Sequence, residues 1–221
     1  MIGVIKKPNW KKQPFDPTTH IATESNFIEL LENGVYDSNY IGYKVQLSNT
    51  VDYNNGLWVI ADVNHDSSNV GQINYYDLIS QDCFYNTTFG NDMYWRNSTP
   101  RTWLNNTFYP GFSSDFKSRM LDIKYNSNGT WYNDDKIIIP SCTELNYTDE
   151  STLTEGVAYP IFTDGNSRIK NAYGGSSAAW QVRTCRTDIS ATRVIFASGD
   201  VYSNRYPDLL YYRQAPILRV H

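Results

Sequence analysis

The chain has 221 residues and a formal net charge of −4, with 19 Lys+Arg against 23 Asp+Glu. That acidic balance excludes an interface built on neutralising phosphates, and no apolar run approaches the roughly 20 residues of a membrane-spanning helix. Three cysteines (Cys83, Cys142 and Cys185) have neither CxxC nor metal-ligand spacing, so neither a zinc framework nor a secreted disulfide scaffold is indicated, and folding in a reducing compartment is expected.

Residues 1–22 read as an extended arm. Pro8, Pro14 and Pro17 oppose helix, Lys6, Lys7, Lys11 and Lys12 repel one another, and Trp10 and Phe15 stand alone among polar neighbours. Residues 23–221 form the remaining domain. Thr23 opens a short helix with Phe27, Leu30 and Leu31 on one face, and Gly34 closes it. Strands follow over residues 43–47, 57–63 and 73–79, with Asn54-Asn55-Gly56 as a turn between the first two. Residues 98–108 and 113–121 have helical signals: Ser98 as cap, Pro100 in the first turn, and the i, i+4 pairs Leu104–Phe108 and Phe116–Met120. A strand over 136–140 runs into Ser141-Cys142-Thr143-Glu144, which has capping-box spacing, and Asp134-Asp135 reads as a solvated turn. Residues 149–177 are loop-like. The rest is β again, at 180–186, 193–197, 201–203 and 216–220, with a turn at Ser198-Gly199-Asp200. The sum is an α+β domain with small antiparallel sheets, short helices and long ordered loops.

The chemical candidates are few. Asp62, Asn64 and Asp66 alternate like the start of a calcium loop, but Ser67 and Ile73 stand where its glycine and bidentate glutamate belong. A turn closed by side chains explains the same residues, and no metal or cofactor is expected. The three histidines (His20, His65 and His221) lie in no hydrolase or zinc motif. Arg183 and Arg186 flank Cys185 and would favour a thiolate, against the alternative of an inert buried thiol. In the last third, arginines alternate with Tyr202, Tyr206, Tyr211 and Tyr212, a mixture that carries binding energy at interfaces or else holds loops onto a core.

Several segments together resemble one family. Trp95-Arg96-Asn97-Ser98 is followed by Arg101-Thr102-Trp103-Leu104-Asn105, then Asp135-Lys136 with Ser141 and Glu144, then Trp180-Gln181-Val182-Arg183-Thr184, a Gly199 turn and Pro216-Ile217-Leu218. This series is similar to an uncharacterised bacterial and phage domain family with a C-type-lectin-like fold, related to retroelement-diversified ligand-binding proteins and to the formylglycine-generating enzyme. It covers roughly residues 40–220. Thr184 and Gln214-Ala215 depart from the family's pattern, and both the calcium-binding sugar triplets and the paired active-site cysteines are missing.

The resemblance implies a non-enzymatic phage virion protein of the capsid or tail, assembled in the host cytoplasm and homo-oligomeric. The absence of a secretion or sorting signal fits that expectation. Trp10 and Phe15, with Lys6, Lys7, Lys11 and Lys12, are expected to dock the arm on other virion proteins. Tyr202, Arg205, Tyr206, Tyr211, Tyr212 and Arg213 are expected to form a binding face for a host-surface glycan or protein, while Trp95, Arg101, Trp103, Leu104 and Trp180 fill the core. The alternatives are a formylglycine-generating-type cysteine oxidase and a purely architectural cement protein.

Overall fold

Among the described residues, alternating apolar positions and turn-forming Asn and Gly residues build thirteen short strands. A computed structural model describes residues 14–149, 154–186, 191–204, 208 and 210–221. The strands in the first half are β1 (Ile21–Thr23), β2 (Lys44–Leu47), β3 (Gly56–Val63), β4 (Tyr76–Ser80), β5 (Phe84–Thr87), β6 (Ile123–Ser127) and β7 (Thr130–Asp135). The second half supplies β8 (Ile137–Ile138), β9 (Trp180–Arg186), β10 (Ala191–Ile195), β11 (Val201–Asn204), β12 (Tyr212–Gln214) and β13 (Ile217–Val220). One sheet has the order β1-β2-β3-β4-β13-β8, a second β11-β10-β9-β12-β5, and β6 and β7 form a separate hairpin. The fold is therefore α+β, with mostly antiparallel pairing; only β1–β2 and β12–β9 run parallel.

The helices are short and capped by hydroxyls. In α1 (Glu24–Glu32) the Thr23 side chain accepts from Asn26 N, and Phe27, Leu30 and Leu31 face the core. A four-residue turn, α2 (Ser67–Val70), follows the loop after β3. The region read as one helix over 98–108 is divided. It begins as α3 (Thr99–Trp103) under the Ser98 cap, continues as a π-turn over Leu104–Phe108, and tightens at Tyr109–Gly111. Asn105 holds that π-turn against β8: its amide donates to Ile137 O (2.8 Å), and its carbonyl accepts from Lys136 N (2.9 Å) and Ile137 N (3.0 Å). α4 (Ser114–Arg119) is capped by Ser113 and ends two residues short of the expected 121, with Met120 already in extended backbone.

Three expectations need correction. The arm does not extend to residue 22. Phe15 is buried against Tyr40 (ring centroids 4.8 Å) and Tyr43 (5.2 Å), and Ile21–Thr23 already pairs with β2. Burying a phenylalanine is worth about 1.5–3 kcal/mol, so Phe15 anchors its own domain and is not free to dock a partner. Asp135 is not a solvated turn residue but 1% exposed at the end of β7. The strand at 73–79 begins only at Tyr76, because Asn74 adopts a left-handed conformation (φ 65°) in the preceding turn.

The core joins both sheets. Trp58, Trp95 and Trp180 are fully buried, with Leu104, Phe108, Ile137, Ile217 and Leu218 around them. Trp95, Leu104 and Trp180 thus take their expected places. Trp103 is half-buried and stacks on Tyr85 at 3.6 Å, and Arg101 is likewise half-buried. Only Ala215 and Pro216 separate β12 of the second sheet from β13 of the first, so the chain crosses between layers in two residues.

Candidate functional site

Many of the polar residues in the recognisable motifs pair with one another, several of them in the interior. Trp95 Nε1 (3.2 Å), Arg101 Nε (2.9 Å) and Tyr125 Oη (2.6 Å) all donate to Asp135 Oδ2. Beside them Arg96 grips Asp134 with two hydrogen bonds of 2.5 and 2.9 Å, and that contact holds the Asp134 carboxyl below its ordinary pKa. Ser141 and Glu144 make the expected capping box: Glu144 N donates to Ser141 Oγ and Ser141 N to Glu144 Oε2, each at 3.0 Å. Glu144 is also the two-point partner of Arg183, at 2.6 and 2.7 Å. Thr184 Oγ1 donates to Glu155 Oε2 (2.6 Å), and burial raises the Glu155 pKa despite the opposing charge of Arg183. Asp77 and Arg219 form a second buried two-point pair at 2.7 and 2.8 Å, with Tyr159 Oη donating to Asp77 (3.0 Å).

These pairs join β7 to α3, β9 to the 141–155 segment, and β13 to β4. Breaking one partner of such a pair costs about 3–5 kcal/mol, whereas an apolar replacement of both can be neutral, so each pair ties its elements together only while both partners are present. Of the two readings of the arginines in the last third, the core-holding one applies to Arg183 and Arg193, which are 1% and 2% exposed.

The cysteines are buried too. Burial pushes the Cys83 and Cys185 thiols up to about 11 and that of Cys142 to about 12, so proximity to Arg183 and Arg186 does not produce a thiolate at Cys185. The calcium-like stretch is a turn closed by its own side chains. Asp62 Oδ1 accepts from Val63 N, Asn64 Oδ1 from Asn74 N and Tyr75 N, and Asp66 Oδ1 from Asn69 Nδ2. Among the described residues no group of three His, Cys, Asp or Glu side chains is placed to hold a metal ion. Lys170 is buried with its ammonium on Ser80 O and Gln81 O, and desolvation lowers its pKa to about 8.

Several aromatic side chains remain at the surface. On the β10–β11 hairpin, Tyr202 is 56% exposed and stacks on Phe196 with ring centroids 5.1 Å apart; Tyr211, 65% exposed, precedes β12. Tyr212 is half-buried, and burial, then the Tyr202 phenol, raises its pKa. Arg213 follows Tyr212 along β12 and is likewise half-buried. Arg205 and Tyr206 lie outside the described residues, as do Lys6, Lys7, Trp10, Lys11 and Lys12.

A groove of about 540 Å³ opens beside Tyr202, lined also by Tyr147, Asp149, Arg186, Arg193, Val201 and Ser203. At its base Arg193 pairs with Asp149 (2.8 Å) and lies over the Tyr147 ring. Sequence reasoning missed Phe196, Tyr147 and Asp149. Phe196 lies just past β10, which is buried along its whole length, so alternation does not mark it as exposed, and only the tertiary fold brings Tyr147 and Asp149 to the hairpin.

A two-sheet α+β domain with buried ion pairs and an aromatic exterior defines the class. Within it, the chain belongs to the DUF6273 family, a domain of unknown function, whose family model matches residues 73–215. The matched span runs from just before β4 to the end of β12, so every motif pair described above except Asp77–Arg219 lies wholly inside it. No curated protein and no solved structure matches the chain.

Proposed function

We propose that this chain is a non-enzymatic binding module with a C-type-lectin-like body, carried on a phage capsid or tail as a homo-oligomer. It presents Tyr202, Tyr211 and Tyr212 to a host surface or to neighbouring virion subunits. The observation that carries the reading is the exposed aromatic side chains at the second sheet: Tyr202 stacks on Phe196, and Tyr211, just before β12, is 65% exposed. Tyrosines on a rigid strand offer large contact area at small entropic cost, which is how recognition surfaces are commonly built. The raised thiol pKa values and the paired motif carboxylates support the choice of binding over oxidation. The phage setting and the lectin-like relationship rest on the motif series from Trp95 to Leu218. The docking role of Lys6, Lys7, Trp10, Lys11 and Lys12 rests on their composition alone.

The experiment is adsorption of particles, or of the purified chain, to host cells. Tyr202→Ala combined with Tyr211→Ala is expected to lower binding at least about tenfold, since each exposed anchor tyrosine carries roughly 1 kcal/mol or more. Unchanged adsorption with intact particle assembly would remove the host-binding reading and leave the architectural one. Loss of the protein from particles on the same substitutions would place the face between virion subunits.

A further inference from the structure

The Tyr94–Asn97 segment and the β6–β7 hairpin enclose a second groove, of about 340 Å³, which the reading above does not use. Its walls are Tyr94, Arg96 and Asn97 on one side and Ser127, Thr130 and Tyr132 on the other, with Asn128 at the hairpin tip. We propose that this groove is a calcium-independent site for an uncharged saccharide, which would lie against Tyr94 and hydrogen-bond to the amides and hydroxyls that line the groove.

Three features support this class of ligand. The first is charge. Arg96 is the sole ionisable cation in the lining, and Asp134 neutralises it through two hydrogen bonds while its face lies 4.4 Å from the Tyr132 ring centroid. A phosphate, sulfate or carboxylate would meet no uncommitted positive charge here, and each desolvated anionic oxygen would lack a charged partner. The second is the chemistry of the walls. Asn97 Nδ2 is held by Asp92 Oδ2 at 2.7 Å, which fixes the amide and leaves its carbonyl as an acceptor; Ser127 and Thr130 add hydroxyls that both donate and accept. Hydroxyl-rich ligands need such two-way partners, and the flat C–H faces of sugar rings suit aromatic surface. The volume falls in the range of about 300–1,000 Å³ usual for small-ligand sites.

The third is rigidity. Both walls are clamped from behind, because Asp135, at the end of β7, receives Trp95, Arg101 and Tyr125 together. At the tip, Asn128 N donates to Glu155 Oε1 at 2.5 Å, which ties the turn back to the domain. A groove whose side chains are already ordered loses little freedom on binding, and that matters most for the weak individual contacts a sugar makes.

The test is a titration of the full chain, followed by ligand-observed NMR, with uncharged pyranoses (glucose, galactose, N-acetylglucosamine and their short oligomers) and with the matching uronic acids. At least one uncharged sugar is expected to bind saturably in the presence of a calcium chelator, with its uronic acid no tighter. Thr130→Trp fills the groove from an exposed position and should lower that affinity at least about tenfold, or 1.4 kcal/mol, with the melting temperature unchanged. Asn97→Ala should weaken it in the same direction, and serves if the tryptophan variant does not fold. Tyr202→Ala should leave it intact, which separates this site from the aromatic face on the second sheet. The proposal is overturned if no uncharged sugar binds, if binding needs calcium, if it survives Thr130→Trp or Asn97→Ala, or if Tyr202→Ala abolishes it.

Discussion

Arg183 and Arg219 are both buried to within 1% of complete, each gripping one carboxylate at two points and each lying near an aromatic ring, Tyr125 and Tyr75 respectively. His65 stands between these two systems, its ring stacked on Tyr159 at 3.7 Å and its Nδ1 2.9 Å from Asp62 Oδ2. Burial disfavours the charged imidazole, but the Asp62 hydrogen bond and the fields of Asp77 and Glu144 outweigh it, so the pKa is raised. A histidine whose folded pKa exceeds the unfolded value of about 6.5 adds stability that is complete below that value and is lost as the pH rises through the folded one. The stability difference between the wild type and His65→Gln should therefore be largest near pH 6 and shrink towards pH 9, as read by thermal melts across that range. A gap that stays constant or widens with pH would show that His65 is neutral in the folded protein. Trp95 and Trp180 were legible as core residues because large aromatics in motifs seldom stay wet. Arg183 and Arg193 were not, because whether an arginine is a surface anchor or a buried strut depends on the carboxylate opposite, and Glu144 lies 39 residues away in sequence.

Local signals succeeded where an element closes on itself. The Thr23 cap, the Ser141–Glu144 box and the Gly34 stop each work within four or five residues, and all three are present in the fold. The β6–β7 hairpin was also written locally, in the alternation Ile123, Tyr125, Ser127 and the turn Asn128-Gly129, with both turn residues at positive φ (52° and 78°). That pattern was passed over, and with it the true position of Asp135. The π-turn at 104–108 was not legible, since its partner is the backbone of β8. The Gly199 turn carries a sharper constraint. Gly199 has φ 85°, and a Cβ there would overlap the carbonyl oxygen of Gly165; Gly174, at φ 73°, has nothing within 4 Å of that position. Gly199→Ala should accordingly cost at least about 2 kcal/mol in urea unfolding, and Gly174→Ala about 1 kcal/mol. Equal losses would mean that the 165–168 segment yields to the added methyl without strain.

Across the whole molecule, the α+β class followed from alternation and turn spacing, but the crossing of the last two strands into different sheets did not, because nothing local distinguishes β12 from β13. The three thiols give a global readout of this packing. With pKa values pushed to about 11–12 and all three buried, they should resist an aromatic disulfide reagent at neutral pH and react together once the chain is unfolded. Rapid labelling of Cys185 in the folded protein would reopen the oxidase reading. The position of β13 has a kinetic meaning as well. Arg219 meets Asp77 across 142 residues, and β13 fills the place between β4 and β8. Until that distant segment arrives, β4 keeps one rim of amide and carbonyl groups open, and the same rim can capture a strand of another copy. Gathering so long a stretch of chain is slow, so native yield is governed by a race between closure within one molecule and capture between two, and dilution during refolding favours the first.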